Sequence, residues 1–179
     1  GQRGLAKGER SIANWDEDAI TMGVEAARAC LAGLDRGALG QIVLASTTLP
    51  FEDRQNAGVI VSALNLGSTV RTSDTTGSLR AGTSALAAAL AGPQDGGATL
   101  VIASDARKTK AASTQEMQYG DGAAALLVGR GAPVAKLLGA HTETVDFVHQ
   151  YRQADHAHDY GWEERWIRDE GYLKIVPRA

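Results

Sequence analysis

The chain has 179 residues, 44% of them hydrophobic, 22% charged and 5% aromatic, with a formal net charge of −3. That is core material for one well-filled globular domain and too little for two, and the charge excludes a broad basic field for nucleic acid or an anionic membrane. No apolar run approaches the ~20 residues of a bilayer span, no signal peptide opens the chain, and a single cysteine rules out an internal disulfide and fits a reducing, cytoplasmic setting.

Residues 1–15 are polar with scattered glycine and read as a loop or arm. Asn14 or Asp16 is placed to cap a helix whose first turn carries Glu17 and Asp18, acidic groups suited to the positive end of the dipole. Ile20, Val24, Ala27, Leu31 and Leu34 then recur at helical spacing, and the helix should end near Gly33. The run QIVLAS (41–46) has the length and composition of a strand buried on both faces. A loop with Pro50 follows, then a short helix over 56–64, a break at Gly67 and a second strand over 70–74. An alanine-rich helix is expected over 79–91, ended by Gly92-Pro93, with a turn over 94–97. TLVIAS (99–104) reads as a third strand, 105–118 as a polar loop, and Tyr119-Gly120-Asp121-Gly122 as a tight turn into a fourth strand over 123–128. Residues 134–139 are a candidate fifth strand. Beyond 140 the chain is rich in histidine, tryptophan and charge, with almost no period, and reads as a long surface excursion. Strands alternating with helices predict an α/β sheet that is at least partly parallel.

The segment from Asp74 to Leu86 is the most informative. It reads as the end of a buried strand turning directly into a helix, whose free N–H groups and dipole point into the turn. Enzymes use such a place to hold a thiolate, because the field lowers the thiol pKa. Here the seat is present and the thiol is not.

Four segments carry a resemblance. DEDAITMGVEAAR (16–28) is similar to the helix after a "DED" cap in the hydroxymethylglutaryl-CoA (HMG-CoA) synthase family. RAGTSAL (80–86) is similar to the run after that family's nucleophile, and YGDGAAA (119–125) to the "FGDGAGA" turn of the ketoacyl-ACP synthase III enzymes. Phe147 to Tyr172, with its GWEERW segment, stands where HMG-CoA synthases insert a loop between their halves. The chain thus resembles the N-terminal half of a thiolase-fold condensing enzyme of the HMG-CoA synthase and ketoacyl synthase III branch.

The resemblance implies an α/β fold of two βαβαβαββ halves in a layered αβαβα core. On that reading residues 1–140 are most of the first half, without its opening strand, and 141–179 lead toward a second half outside this sequence. The glycine at position 1 and the uncapped end at Ala179 are read the same way, as a piece of something longer. The family implies a homodimer, or a heterodimer with a related subunit, paired through the strand at 70–74. It also implies acyl-CoA or acyl-carrier thioesters as substrates, no separate cofactor, and in some assemblies a zinc-ribbon/OB-fold partner.

Counting from Asp74, with Ala85-Leu86 as second anchor, puts Leu79 at the family's nucleophile position. Ser78, one residue away, is a fallback that needs a neighbouring base and otherwise caps the helix. Thr47 falls where HMG-CoA synthases carry a general acid/base Glu, and threonine cannot deprotonate an acetyl methyl group near neutral pH. Cys30, in the first helix, reads as an inert small hydrophobe. Gly77 with Gly82-Thr83-Ser84 nearly spells a phosphate loop but has Thr83 where that motif needs Lys. His156 and His158 with Asp155 and Asp159 read as a solvated loop rather than half of a metal site, and no metal is expected. Arg107, Lys108 and Lys110 could meet the phosphates of a CoA or carrier arm, against the plainer reading of a solvated loop. Two functions follow: an acyltransferase forming carbon–carbon bonds, or a non-catalytic thiolase-like partner subunit, which Leu79 favours. By itself the chain is expected to be unstable, with a sheet facing an absent layer.

Overall fold

The computed structural model describes residues 8–93 and 95–179. The first part of the expected arm, 1–7, and Gln94 of the expected turn lie outside the described residues. Contacts divide the chain into two units, one of Gly1–Arg107 with Gln118–Pro133 and one of Lys108–Met117 with Val134–Ala179.

The first unit is built on a four-stranded sheet in the order β2-β1-β3-β4. Strand β1 (Leu39–Ala45) runs parallel to β2 (Arg71–Thr75) and β3 (Ala98–Asp105), and β4 (Gly122–Val128) is antiparallel to β3. The continuous apolar runs of β1 and β3 are explained by burial on both faces. On one face Ile42, Leu44, Leu100 and Ile102 meet Ile20, Val24 and Ala27 of α1 (Ala19–Cys30) and Ala57 and Ile60 of α2 (Asn56–Ala63). On the other, Val43, Ala45 and Val101 meet Ala81 and Ala85 of α3 (Ala81–Ala91). The alternation along each strand is the period of two expected of a pleat. Helix α3 lies close to the sheet because Gly82 has no side chain, and a Cβ there would stand 3.0 Å from that of Ala103.

Several boundaries differ from the sequence reading. The cap of α1 is Asp18, not Asn14 or Asp16: its carboxylate accepts the N–H groups of Ile20 and Thr21, and Thr21 Oγ1 accepts the Asp18 N–H in return. This reciprocal box outcompetes a lone cap because it satisfies donors at both positions. The helix stops at Cys30, its last residue, and Leu34, beyond the end, is 49% exposed. The candidate strand over 134–139 does not form: Val134 and Leu138 are fully exposed and pair with nothing. The turn before it, at Arg130 to Pro133, ends the alternation that β4 supplies.

The second unit contains α4 (Thr114–Gln118), except for its last residue, and a two-stranded antiparallel hairpin of β5 (Gln150–Tyr151) and β6 (Tyr160–Gly161). Helix α5 (Glu164–Trp166) continues through a π-helical segment (Ile167–Tyr172) into α6 (Leu173–Ile175) and a closing 3-10 turn (Val176–Arg178). Aromatic packing gives this region its order where apolar periodicity does not. Phe147 stacks on Trp166 with centroids 4.6 Å apart, Trp162 lies 5.5 Å from Trp166, and Tyr160 contacts both Tyr151 and Trp162. Offset and edge contacts of this kind contribute about 0.5–1.5 kcal/mol each beyond their burial. The buried Asp159 carboxylate accepts from Gln150 and faces Arg152 at 3.9 Å. On the exposed helix a hydrogen bond from Arg168 holds the Asp169 carboxyl below the usual carboxylate range and raises Arg168 in turn.

Candidate functional site

The site is assembled where β1 and β3 end and α3 begins, at the carboxyl edge of parallel strands where α/β sheets place their ligands. Asp74, near the end of β2, ties that strand to α2 beside the site. Its carboxylate accepts the Asn56 N–H at 2.7 Å, the Asn56 Nδ2–H at 3.0 Å and the Ala57 N–H at 2.8 Å. A carboxylate on the first N–H groups of α2 satisfies them and meets the positive end of that helix.

From Asp74 the chain turns through Gly77, at φ +81, into α3. The helix begins at Ala81, two residues later than the sequence reading, with Arg80 at the cap position and no side-chain cap bond. Ser78 is therefore not the helix cap. Its Oγ accepts the Arg80 N–H at 3.2 Å and its carbonyl accepts the Ala81 N–H at 3.0 Å, both inside the preceding turn. It is exposed, does not line the cleft described next, and has no basic group hydrogen-bonded to it. Thr83 Oγ1 donates back to the Arg80 carbonyl at 3.0 Å, an ordinary first-turn bond rather than part of a phosphate loop.

A cleft of about 480 Å³ opens beside this turn. Leu79, Arg80 and Thr83 line it from the helix head, Ala45 and Ser46 from the end of β1, Ala103 and Asp105 from β3, and Ala124 and Leu126 from β4. Leu79 is 47% exposed and presents only hydrocarbon to the cleft. A leucine side chain offers no lone pair to attack a carbonyl and no proton to donate.

Asp105 is the one carboxylate among the lining residues, and the sequence reading left it in a polar loop. Its Oδ1 gathers the Ser-Thr-Thr run at the end of β1: Thr47 N–H at 2.7 Å, Thr47 Oγ1 at 3.0 Å, Ser46 Oγ at 3.1 Å and Thr48 Oγ1 at 3.1 Å. Arg107 Nη1 donates to Thr47 Oγ1 at 2.6 Å, so the Thr47 hydroxyl gives its single proton to Asp105 and receives one from Arg107. Thr47 is thus tied into a structural circuit. The sequence shows that an aspartate closes the apolar strand TLVIASD, but nothing local to it names the hydroxyl run 58 residues earlier as its partner.

The basic trio is divided. Arg107 is half-buried, engaged with Thr47 and 6.0 Å from the Tyr119 ring, which corrects the solvated-loop reading for that residue. Lys108 and Lys110 are exposed and belong to the other unit. Cys30 packs beside the core on the α1 face of the sheet, opposite α3. Among the described residues no three His, Cys, Asp or Glu side chains gather as a metal site.

No family model matches the chain. Its sequence is 30% identical over 146 residues to a hydroxymethylglutaryl-CoA synthase of Pyrobaculum aerophilum, covering 78% of this chain and 42% of that protein. It is 31% identical over 180 residues to the same enzyme of Thermococcus gammatolerans, covering 96% and 50%. The chain spans about half the length of the curated relatives it matches. A solved HMG-CoA synthase complexed with CoA superposes with a TM-score of 0.81 at 22% identity, over 99% of this chain and 46% of that one. A solved 3-oxoacyl-(acyl-carrier-protein) synthase III gives 0.74 at 17% identity, over 95% and 60%. The fold is that of the thiolase-type condensing enzymes. Within that class the chain resembles the HMG-CoA synthase and ketoacyl synthase III branch, and its sequence relatives are HMG-CoA synthases.

Proposed function

We propose that this chain handles acyl groups carried as CoA or carrier-protein thioesters, as part of an acyltransferase of the HMG-CoA synthase and ketoacyl synthase III type that forms carbon–carbon bonds. The observation that supports this is the cleft at the head of α3, walled by the ends of β1 and β3 and lined chiefly by apolar side chains. The names of the relatives support the thioester class of substrate.

A specific observation favours a second reading, in which the chain is a non-catalytic partner. Acyl transfer by this fold needs a sulfur or oxygen that bonds to the thioester carbonyl while the CoA thiolate leaves. At the position that lines the cleft this chain has Leu79. Thr47 is neutral and hydrogen-bonded on both sides, so it cannot serve as the base for condensation. On this reading a thiolase-like chain paired along β2 supplies the nucleophile, with a zinc-ribbon/OB-fold protein as a further partner. We place the assembly in the cytoplasm; no helix among the described residues is long and apolar enough to cross a membrane.

Intact mass after incubation with acetyl-CoA or a longer acyl-CoA separates the two. The unmodified protein is expected to gain no acyl adduct and to co-purify with a second thiolase-like chain. The Leu79→Cys variant is expected to gain one acyl group, because the helix head and cleft are otherwise in place. An adduct on Ser78 of the unmodified protein would restore a nucleophilic mechanism and remove the partner reading.

A further inference from the structure

We propose that residues 10–13 form a strap clamped on the turn ahead of β4, and that lifting this strap loosens the Arg107–Thr47–Asp105 circuit at the ends of β1 and β3. The inference concerns the chain's own hydrogen bonds and stands apart from the thioester reading. Three bonds join these distant parts of the chain. Arg10 Nη1 donates to the Tyr119 carbonyl at 2.9 Å, the Asp121 N–H to the Ser11 carbonyl at 2.9 Å, and the Ala13 N–H to Asp121 Oδ2 at 2.9 Å. The fit is close: a Cβ at Gly120 would stand 3.2 Å from the Ser11 carbonyl oxygen, so a larger residue there would push the strap away.

Polar contacts hold the strap, not burial. Ile12 within it is 66% exposed, and Trp15 just beyond is 94% exposed. A segment that buries so little apolar surface opens locally while the sheet stays folded. Its far end stays fixed, because Asn14 and Glu17 bond each other and Asp18 caps α1. Tyr119 is the joint. Its carbonyl takes Arg10, while its ring lies 6.0 Å from the Arg107 guanidinium, within cation–π reach. Arg107 in turn donates to Thr47 Oγ1, and Thr47 donates to Asp105 from both its N–H and its hydroxyl. With the strap docked, the turn keeps its ring against Arg107. With the strap lifted, the turn loses three hydrogen bonds, Arg107 loses the ring that orients it, and the circuit slackens.

Site-resolved amide hydrogen exchange on the chain and three variants tests this. In Arg10→Ala, which alters an exposed side chain, and in Asp121→Ala, the amides of residues 13 and 121 are expected to exchange about two- to tenfold faster, the worth of one hydrogen bond. The amides of Thr47 and Ala106, which donate to Asp105 and to Thr48 Oγ1, are expected to quicken in the same two variants. Those of Leu100 and Ile102, in the middle of β3, are expected to keep their rates. Tyr119→Leu keeps the carbonyl and removes the ring; it is expected to quicken Thr47 and Ala106 while residue 13 stays protected. Unchanged exchange at Thr47 and Ala106 in all three variants overturns the inference. Equal acceleration at Leu100 and Ile102 overturns it too, because the strap then opens only with the whole sheet.

Discussion

Two aspartates, each at or near the end of a strand flanking β1, tie elements together, and they do so by opposite means. Asp74 reaches across to another element and saturates the first N–H groups of α2, while Asp105 collects a run of hydroxyls from β1 onto one oxygen. Removing Asp74 takes the acceptor from the buried Asn56 and Ala57 backbone N–H groups, while Asn56 Nδ2 keeps the Phe51 and Arg54 carbonyls, and each unsatisfied buried donor costs about 1–3 kcal/mol. Asp74→Ala is therefore expected to lower the unfolding free energy by roughly 2–4 kcal/mol, read from the shift of the urea midpoint at constant slope. A shift within about 0.5 kcal/mol, the range of ordinary surface substitutions, would show that water replaces the carboxylate. At residue 79 the leucine that lines the cleft was legible in the sequence. The residues that bind Thr47 were not readable in the same way, because Asp105 and Arg107 stand 58 and 60 positions along the chain from it.

Among the elements, α1 and α3 begin by different physics. The first has a reciprocal cap formed by Asp18 and Thr21, whereas α3 starts at Arg80 with no side-chain cap and is held by its packing on Val43, Val101 and Ala103 through Ala81, Gly82 and Ala85. Asp18→Ala is expected to cost about 1 kcal/mol, measurable as a lower thermal midpoint. The two candidates in the sequence, Asn14 and Asp16, are not the cap: Asn14 and Glu17 bond each other in a separate turn before the helix, and both bonds of the box form only between Asp18 and Thr21. The hairpin and helix of the second unit escaped the sequence reading for a related reason. Their order comes from rings that meet across the fold, Phe147 on Trp166 and Tyr151 on Tyr160, and such pairs leave no period along the chain.

For the whole chain, the sheet is covered more completely on the α1 and α2 face than on the α3 face. Ile42, Leu44, Leu100 and Ile102 are fully buried on the first, while Leu126 and Leu79 remain half exposed on the second. The chain by itself is accordingly expected to bind a hydrophobic dye such as ANS; an absence of dye binding would contradict this. The sequence alone determined the order of the sheet's strands along the chain, the doubly buried character of β1 and β3, and the aliphatic side chain at position 79, just before α3. Each of these depends on local composition or on spacing within a single element. Only the tertiary structure decided that Asp105, Thr47 and Arg107 form one hydrogen-bonded circuit, that Asp74 caps a helix preceding it in sequence, and that Leu79 and Leu126 face the same cleft. Those pairings join residues far apart in the chain, and nothing in the local pattern of either partner specifies the other.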